Sequence, residues 1–146
     1  MTLKLQFVNG TRVIIHTANM IPGDWANMTQ AAWRSPLLPL LPNTSTPEGT
    51  GGYGSGARFK KDLLSYLNAY GRKKTGQLVK QLERFNFQAV RAALIASVPS
   101  KQKVETMNAK KQTLWGWPAL KDIIRHVPLA PHSGTAHIVL QVTDPS

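Results

Sequence analysis

The strongest constraint in the sequence is a β-hairpin signal within its first 17 residues. Residues 2–8 alternate between polar and apolar side chains, and residues 12–17 are mostly apolar and β-branched up to His16. The dipeptide Asn9-Gly10 lies between these segments and is a strong signal for a tight hairpin turn. The first strand has one polar face, whereas the apolar second strand is typical of a strand covered on both faces.

Downstream of the hairpin, helical and strand patterns alternate. Apolar residues at helical spacing predict helices over 58–70, over 75–85 and from Pro118 to about His126. Strands are predicted around 30–33, over 89–97 and over 137–142, with a turn at 22–24. Proline excludes regular structure from 36 to 42, and we expect a mobile Gly/Ser/Thr-rich loop over 43–57 and a basic loop over 100–113. This order predicts one α/β domain over residues 1–146, a layered sheet with flanking helices.

Charge is the clearest compositional feature. Lys and Arg number 18 against 7 Asp and Glu, which gives a net charge of +11. Such an excess attracts polyanions, so nucleic acid is the favoured partner. A charged surface that serves only solubility stays open as an alternative. A membrane partner is disfavoured, because no basic amphipathic helix presents exposed Trp or Phe.

Several kinds of active site are excluded by the residues present. The chain has no cysteine, which removes thiol nucleophiles and thiolate zinc sites. None of the four histidines has a second ligand at metal-binding spacing, and the seven carboxylates are scattered. The glycine-rich stretch is not followed by the Gly-Lys-Ser/Thr of a phosphate-binding loop. We therefore expect no metal and no cofactor.

One group of polar residues directly follows the second strand, where an α/β sheet commonly presents ligands. It begins with His16-Thr17-Ala18-Asn19 and continues through Asp24-Trp25, Thr29-Gln30 and Trp33-x-Ser35-Pro36. Further blocks follow in order at 59–70, 95–99, Trp115-Gly116, Leu120-Lys121 and 137–142. Together these blocks span almost the whole chain, and it resembles the tyrosyl-DNA phosphodiesterase family.

The resemblance implies a partial phospholipase D-like half-domain and a DNA-repair activity in the nucleus. This family hydrolyses the phosphodiester between a topoisomerase tyrosine and a DNA 3′ end through a phosphohistidine. Its partner is a single-stranded DNA end that carries a 3′-phosphotyrosyl peptide. Two His-x-Lys motifs, one from each half, surround the phosphate, and no metal is required.

The resemblance also assigns roles to individual residues. Asn19 resembles the asparagine that completes the first half-site, and Gln30 the glutamine beside it. Ser97 resembles a phosphate-contacting serine on the DNA path, and Trp25, Lys101 and Lys103 are further expected DNA contacts. The simpler interpretations are that Asn19 forms a turn, Gln30 bonds to backbone and Ser97 caps a strand. Ser100 stands where the family has glycine, so the local turn is expected to differ.

The chain departs from the family in its histidines. The residues two places after them are Ala18, Pro128, Gly134 and Val139, so no His-x-Lys motif is present. We therefore expect an internal fragment of the enzyme, or a truncated gene model, that is inactive alone. One alternative is a non-catalytic nucleic-acid-binding module on the same scaffold. Another is a structural fragment whose exposed sheet edges drive self-association.

Overall fold

The N-terminal part of the chain forms a three-stranded antiparallel sheet in the order β1-β2-β3. A computed structural model describes residues 2–7, 9–19, 21–27, 29–42, 51–99 and 113–127. The strands are β1 (Thr2–Phe7), β2 (Gly10–His16) and β3 (Ala32–Arg34). Phe7 pairs with Gly10 and His16 with Ala32, which confirms the predicted hairpin and the short third strand.

Strand β2 lies at the centre of this sheet. None of its residues is exposed, as its apolar sequence predicted, and Val13 is buried. Beyond β3 the chain stays beside β2, because Thr11 and Leu38 exchange two backbone hydrogen bonds of 2.9 and 2.8 Å. A Cβ atom on Gly10 would lie 2.6 Å from the Leu38 carbonyl oxygen. Gly10 therefore allows this close approach and is itself part of the strand.

In the described residues, four helices follow or interrupt these strands. They are α1 (Pro22–Asn27), α2 (Gly56–Ala69), α3 (Arg72–Glu83) and α4 (Gly116–His126). The three longer helices confirm the sequence prediction with shifted starts. Helix α2 begins two residues early, inside the predicted loop, because the Ser55 hydroxyl accepts a hydrogen bond from the Arg58 N–H and caps it.

Two predictions of local structure were wrong. The predicted turn at 22–24 is the start of α1, where Pro22 occupies the first helical position and Asp24 lies in the first turn. The predicted strand at 89–97 has no regular structure. Only its alternate apolar residues pack inward, with Val90 and Ala96 buried, whereas Ile95 is 44% exposed. Burial, not strand pairing, explains the apolar pattern there.

The hydrophobic core joins the sheet to α2, α3 and the segment after α3. Phe59 is its centre, because its ring lies 5.0 Å from that of Trp33 and 6.3 Å from that of Phe87. The buried members are Val13, Leu38, Phe59, Leu63, Leu67, Val79, Leu82, Phe85, Phe87 and Val90. Through Val13 and the partly buried Ile15, this packing joins β2 to the core.

A polar junction connects the residues before α2 with α4. The Tyr53 hydroxyl donates to the Asp122 carboxylate at 2.6 Å and accepts from Arg58 at 3.1 Å. Arg58 also pairs with the buried Asp62 at 2.9 Å and lies 4.2 Å from the Tyr53 ring centre. Burial, together with the hydrogen bond to Asp122, raises the pKa of Tyr53 to about 12. The phenol therefore stays protonated and keeps donating at neutral pH.

The described residues mix helices with an antiparallel sheet, in agreement with the α/β prediction at the level of element content. The first part of the expected mobile loop, residues 43–50, the basic loop except Thr113, and the strand at 137–142 lie outside the described residues. Within the described part, no helix is both long and apolar enough to cross a membrane.

Candidate functional site

Asn19 lies three residues beyond the end of β2, and α1 holds its backbone from both sides. The Asn19 N–H donates to the Asp24 carboxylate at 2.7 Å. The Trp25 indole N–H donates to the Asn19 carbonyl oxygen at 2.8 Å. Both partners lie on α1, so the short helix and the loop after β2 form one unit.

Gln30 closes this unit on the other side. Its amide nitrogen donates to the Asp24 carbonyl oxygen at 2.8 Å, and its amide oxygen accepts from the Thr17 hydroxyl at 2.5 Å. The same hydroxyl accepts from the Ala31 N–H at 3.0 Å. Through the nitrogen and the oxygen of its amide, Gln30 thus connects α1 to the residue that follows β2.

The last residue of β2 and α1 are also in contact through two aromatic rings. The ring of His16, which is buried, lies 5.5 Å from the Trp25 ring at an angle of 47°. Trp25 keeps 56% of its surface exposed. We call this group the Asn19 cluster, and it comprises His16, Thr17, Asn19, Asp24, Trp25 and Gln30. The structure therefore brings together three predicted site residues, namely Asn19, Gln30 and Trp25.

The chemistry available at the Asn19 cluster is hydrogen-bond donation. The Asn19 side chain is exposed, and within the described residues no hydrogen bond engages it. Its amide nitrogen supplies two N–H donors, which suit an anionic oxygen. The cluster's carboxylate, Asp24, already accepts from Asn19. Among the residues that the structure describes, no three His, Cys, Asp or Glu side chains group as a metal site.

The other predicted DNA contacts lie elsewhere or outside the described residues. Ser97 is exposed in the irregular segment after α3. It lies next to the start of α4, because the Gly116 N–H donates to the Ala96 carbonyl oxygen at 2.8 Å. No hydrogen bond between Ser97 and the Asn19 cluster occurs in the described part of the chain. Lys101 and Lys103 fall outside the described residues.

Reasoning from the sequence missed the residues that hold Asn19. The sequence places Asp24 and Thr17 in the polar group after β2 without predicting a hydrogen bond for either, yet both bond within the cluster. One signal was available for Asp24, since an acidic residue two places after a proline is typical of a helix start whose side chain reaches back to a free N–H. Thr17 and Gln30 are 13 residues apart, and no local pattern predicts their contact.

Known proteins similar to this chain agree on one family. The sequence model of the tyrosyl-DNA phosphodiesterase family matches residues 1–144. Tyrosyl-DNA phosphodiesterase 1 of Drosophila melanogaster is 32% identical over 77% of this chain, and that of Arabidopsis thaliana is 28% identical over 83%. A probable tyrosyl-DNA phosphodiesterase of Schizosaccharomyces pombe is 26% identical over 78%.

These relatives are much longer than the matched region. The chain covers 18% of the Drosophila protein, 20% of the Arabidopsis protein and 29% of the Schizosaccharomyces protein. The match of residues 1–144 takes in nearly all of this sequence and includes the whole Asn19 cluster. The chain belongs to the tyrosyl-DNA phosphodiesterase family.

Proposed function

We propose that this chain supplies one half of the phosphate site of a tyrosyl-DNA phosphodiesterase. The substrate is the phosphodiester between a topoisomerase tyrosine and a single-stranded DNA 3′ end. The observation that carries the proposal is the exposed amide of Asn19 on a backbone held by two hydrogen bonds, in a chain of this family.

In this proposal Asn19 donates a hydrogen bond to a phosphoryl oxygen. Negative charge grows on these oxygens during transfer, and a donor whose position is already fixed stabilises it without reorganisation. Gln30 is the second residue of the half-site and bonds to Asp24 and to Thr17, on either side of Asn19 in the sequence. The scaffold is a phospholipase D-like half-domain, and the enzyme works in the nucleus.

The nucleophile and the acid of this reaction are histidines of His-x-Lys motifs, with a phosphohistidine as the intermediate. None of the four histidines here belongs to such a motif. The chain by itself is therefore expected to bind the DNA end without releasing tyrosine.

The DNA strand would be held by basic and aromatic side chains. Helix α3 and its C-terminal cap residue present Lys73, Gln77, Lys80 and Arg84 at spacings of four, three and four, and all four are exposed. Such spacing places them on one helix face over roughly 16 Å. Trp25 is exposed enough to stack on a base. Ser97, Lys101 and Lys103 complete the proposed DNA path.

The first test replaces Asn19 by alanine. We expect Asn19→Ala to weaken binding of a fluorescent single strand with a 3′-phosphotyrosine about tenfold, because one hydrogen bond to a charged oxygen is lost. Binding of the same strand with a 3′-hydroxyl should not change. Fluorescence anisotropy at low salt measures both affinities.

Asn9→Ala is the matched control for this substitution. Asn9 is an exposed asparagine beside Gly10 at the start of β2, so the same atoms are removed at the opposite end of that strand from Asn19. Equal affinities for Asn19→Ala and the unchanged chain would contradict the phosphate role. Tyrosine release above background would contradict the expected inactivity and indicate a nucleophile other than a His-x-Lys histidine.

A second test examines the basic face of α3. We expect the triple variant Lys73→Gln, Lys80→Gln, Arg84→Gln to make the negative slope of log affinity against log salt shallower by about 2, since each phosphate contact on a single strand contributes roughly −0.7 to it. The measurement is a salt series with single-stranded DNA.

Lys61, Lys121 and Arg125 provide a control with the same change in charge, because they are exposed on α2 and α4. Replacing these three by glutamine should make the slope shallower by less than the α3 triple does. Equal slopes would mean that binding depends on net charge alone and that α3 is not a preferred surface.

A second function is favoured by the net charge of +11 without a His-x-Lys motif. It is a non-catalytic nucleic-acid-binding module that keeps the scaffold. The same anisotropy series separates the two, because a general binder holds 3′-hydroxyl and 3′-phosphotyrosyl strands equally well.

A further inference from the structure

We propose that Asp24 and Trp25 are positioning residues that hold the backbone of Asn19 so that its side-chain amide points to the phosphate. This inference rests on the proposed function of Asn19. We call the two residues the α1 clamp.

The clamp acts on both backbone groups of one residue. Asp24 accepts from the Asn19 N–H at 2.7 Å, and Trp25 donates to the Asn19 carbonyl oxygen at 2.8 Å. Hydrogen bonds at both groups restrict rotation about the Asn19 backbone, which otherwise lies in an exposed loop between β2 and α1. The amide is then the part of Asn19 left for a ligand.

The clamp is itself anchored to the sheet. The carbonyl oxygen of Asp24 accepts from Gln30, and Gln30 accepts from Thr17 directly after β2. The path from Asn19 through Asp24, Gln30 and Thr17 therefore returns to the chain two residues before Asn19. This closed chain of hydrogen bonds connects the exposed loop that carries Asn19 to the central strand, and so restricts motion of the loop.

The charge of Asp24 also favours a positioning role. A carboxylate beside a phosphate repels it, so direct contact between Asp24 and the ligand would weaken binding. A hydrogen bond to an N–H is the favourable use of a carboxylate here, because the ionised acceptor makes that bond stronger than a neutral one. Asp24 therefore contributes through geometry and opposes binding through charge.

Two variants of Asp24 separate the effect of its hydrogen bond from the effect of its charge. Asp24→Ala removes both the hydrogen bond and the charge. Asp24→Asn removes the charge and keeps an oxygen that can accept from Asn19. If Asp24 positions Asn19, we expect Asp24→Ala to bind the 3′-phosphotyrosyl strand about fivefold more weakly and Asp24→Asn to bind at least as well as the unchanged chain.

The position of the backbone is measured independently of binding. In the full 146-residue chain, nitrogen-15 relaxation should show an order parameter for Asn19 near that of rigid backbone, about 0.85. In Asp24→Ala and in Trp25→Phe we expect it to fall to about 0.6. Trp25→Phe keeps an aromatic ring beside His16 and removes the indole N–H that bonds to Asn19. Trp117→Phe, an exposed tryptophan on α4, should leave Asn19 unchanged.

The combined results distinguish failure of the clamp from failure of the proposed function. The clamp is overturned if Asn19→Ala weakens binding whereas Asp24→Ala and Trp25→Phe change neither the order parameter nor the affinity. It is also overturned if Asp24→Ala and Asp24→Asn both strengthen binding, since charge alone would then explain the effect.

The proposed function itself is overturned if both clamp variants loosen Asn19 but Asn19→Ala leaves the affinity unchanged. Unaltered amide spectra of α2 and α3 establish that each variant has folded. If Asp24→Ala fails to fold, Asp24→Asn and Trp25→Phe still decide between these outcomes.

Discussion

Replacing Arg58 by methionine is expected to lower the free energy of unfolding by about 3 kcal/mol at pH 7, because it leaves the Asp62 carboxylate buried without its partner. Asp62 is 4% exposed, and the Arg58 guanidinium donates to both of its oxygens at 3.1 and 2.9 Å. Methionine keeps most of the length of the side chain and removes the charge. Urea unfolding measures the loss, and we expect the slope of the free energy of unfolding against urea concentration to stay unchanged.

The pH dependence of this loss has a definite sign. Burial raises the pKa of Asp62 above its ordinary value of 3.8, although Arg58 opposes the shift. The folded state therefore holds the proton more tightly than the unfolded state, so the contribution of Asp62 to stability falls as the pH rises from 3.8 through the raised pKa. Without Arg58 the pKa rises further. The deficit of Arg58→Met should therefore be complete at pH 7 and shrink as the pH approaches 4.

Two further variants separate the buried pair from the loss of a positive charge. Lys61→Met removes an exposed charge from the same helix and should change stability by less than about 0.5 kcal/mol. The double variant Arg58→Met, Asp62→Leu should recover most of the loss, because no buried charge remains. A double variant as unstable as Arg58→Met would instead assign the cost to the lost contacts of Arg58 with Tyr53.

Replacing Gly56 by alanine is expected to cost about 3 kcal/mol of stability, the upper range for inserting a methyl group into a packed interior. Gly56 is the buried first residue of α2. A Cβ atom there would overlap the carbonyl oxygen and carbon of Phe87, which are backbone atoms in the core. The start of α2 or the segment that carries Phe87 would have to move.

Gly23→Ala is the control for this substitution. Gly23 lies in α1, and a Cβ atom there would meet no other atom within 4 Å. Alanine favours helices over glycine by about 1 kcal/mol, so Gly23→Ala should be neutral or stabilising. Equal stabilities of the two variants in urea unfolding would mean that α2 does not pack against Phe87 as closely as the structure has it.

The sequence predicted the elements whose signals are local. The hairpin followed from alternation on either side of Asn9-Gly10, and α2, α3 and α4 from apolar residues at helical spacing. These predictions are confirmed because the apolar residues at regular spacing are the ones buried in the core. On α2 they are Phe59, Leu63 and Leu67. The pair of Arg58 and Asp62 was also readable from its spacing of four residues.

Predictions from local patterns were wrong where a segment is apolar but does not form the secondary structure that its pattern suggests. The apolar run at 89–97 predicts a strand, but within the described residues it pairs with no strand and only alternate side chains pack inward. Hydrophobicity alone does not specify which neighbouring segment will supply hydrogen bonds. Helix α1 was missed because six residues are too few for a helical period to appear. Its start signals, Pro22 and Asp24, are also common in turns.

In the candidate site, too, some features were predictable from the sequence and others were not. The position of Asn19 after an apolar strand indicated a ligand site, and the ordered blocks of similarity to one family implied that the ligand is a phosphate. The contacts that hold Asn19 were not, since Gln30 reaches Thr17 over 13 residues of chain. Likewise, Tyr53 and Asp122 meet across 69 residues. Hydrogen-bond partners at such separations are chosen by the packing of whole elements, and only the tertiary structure decides them.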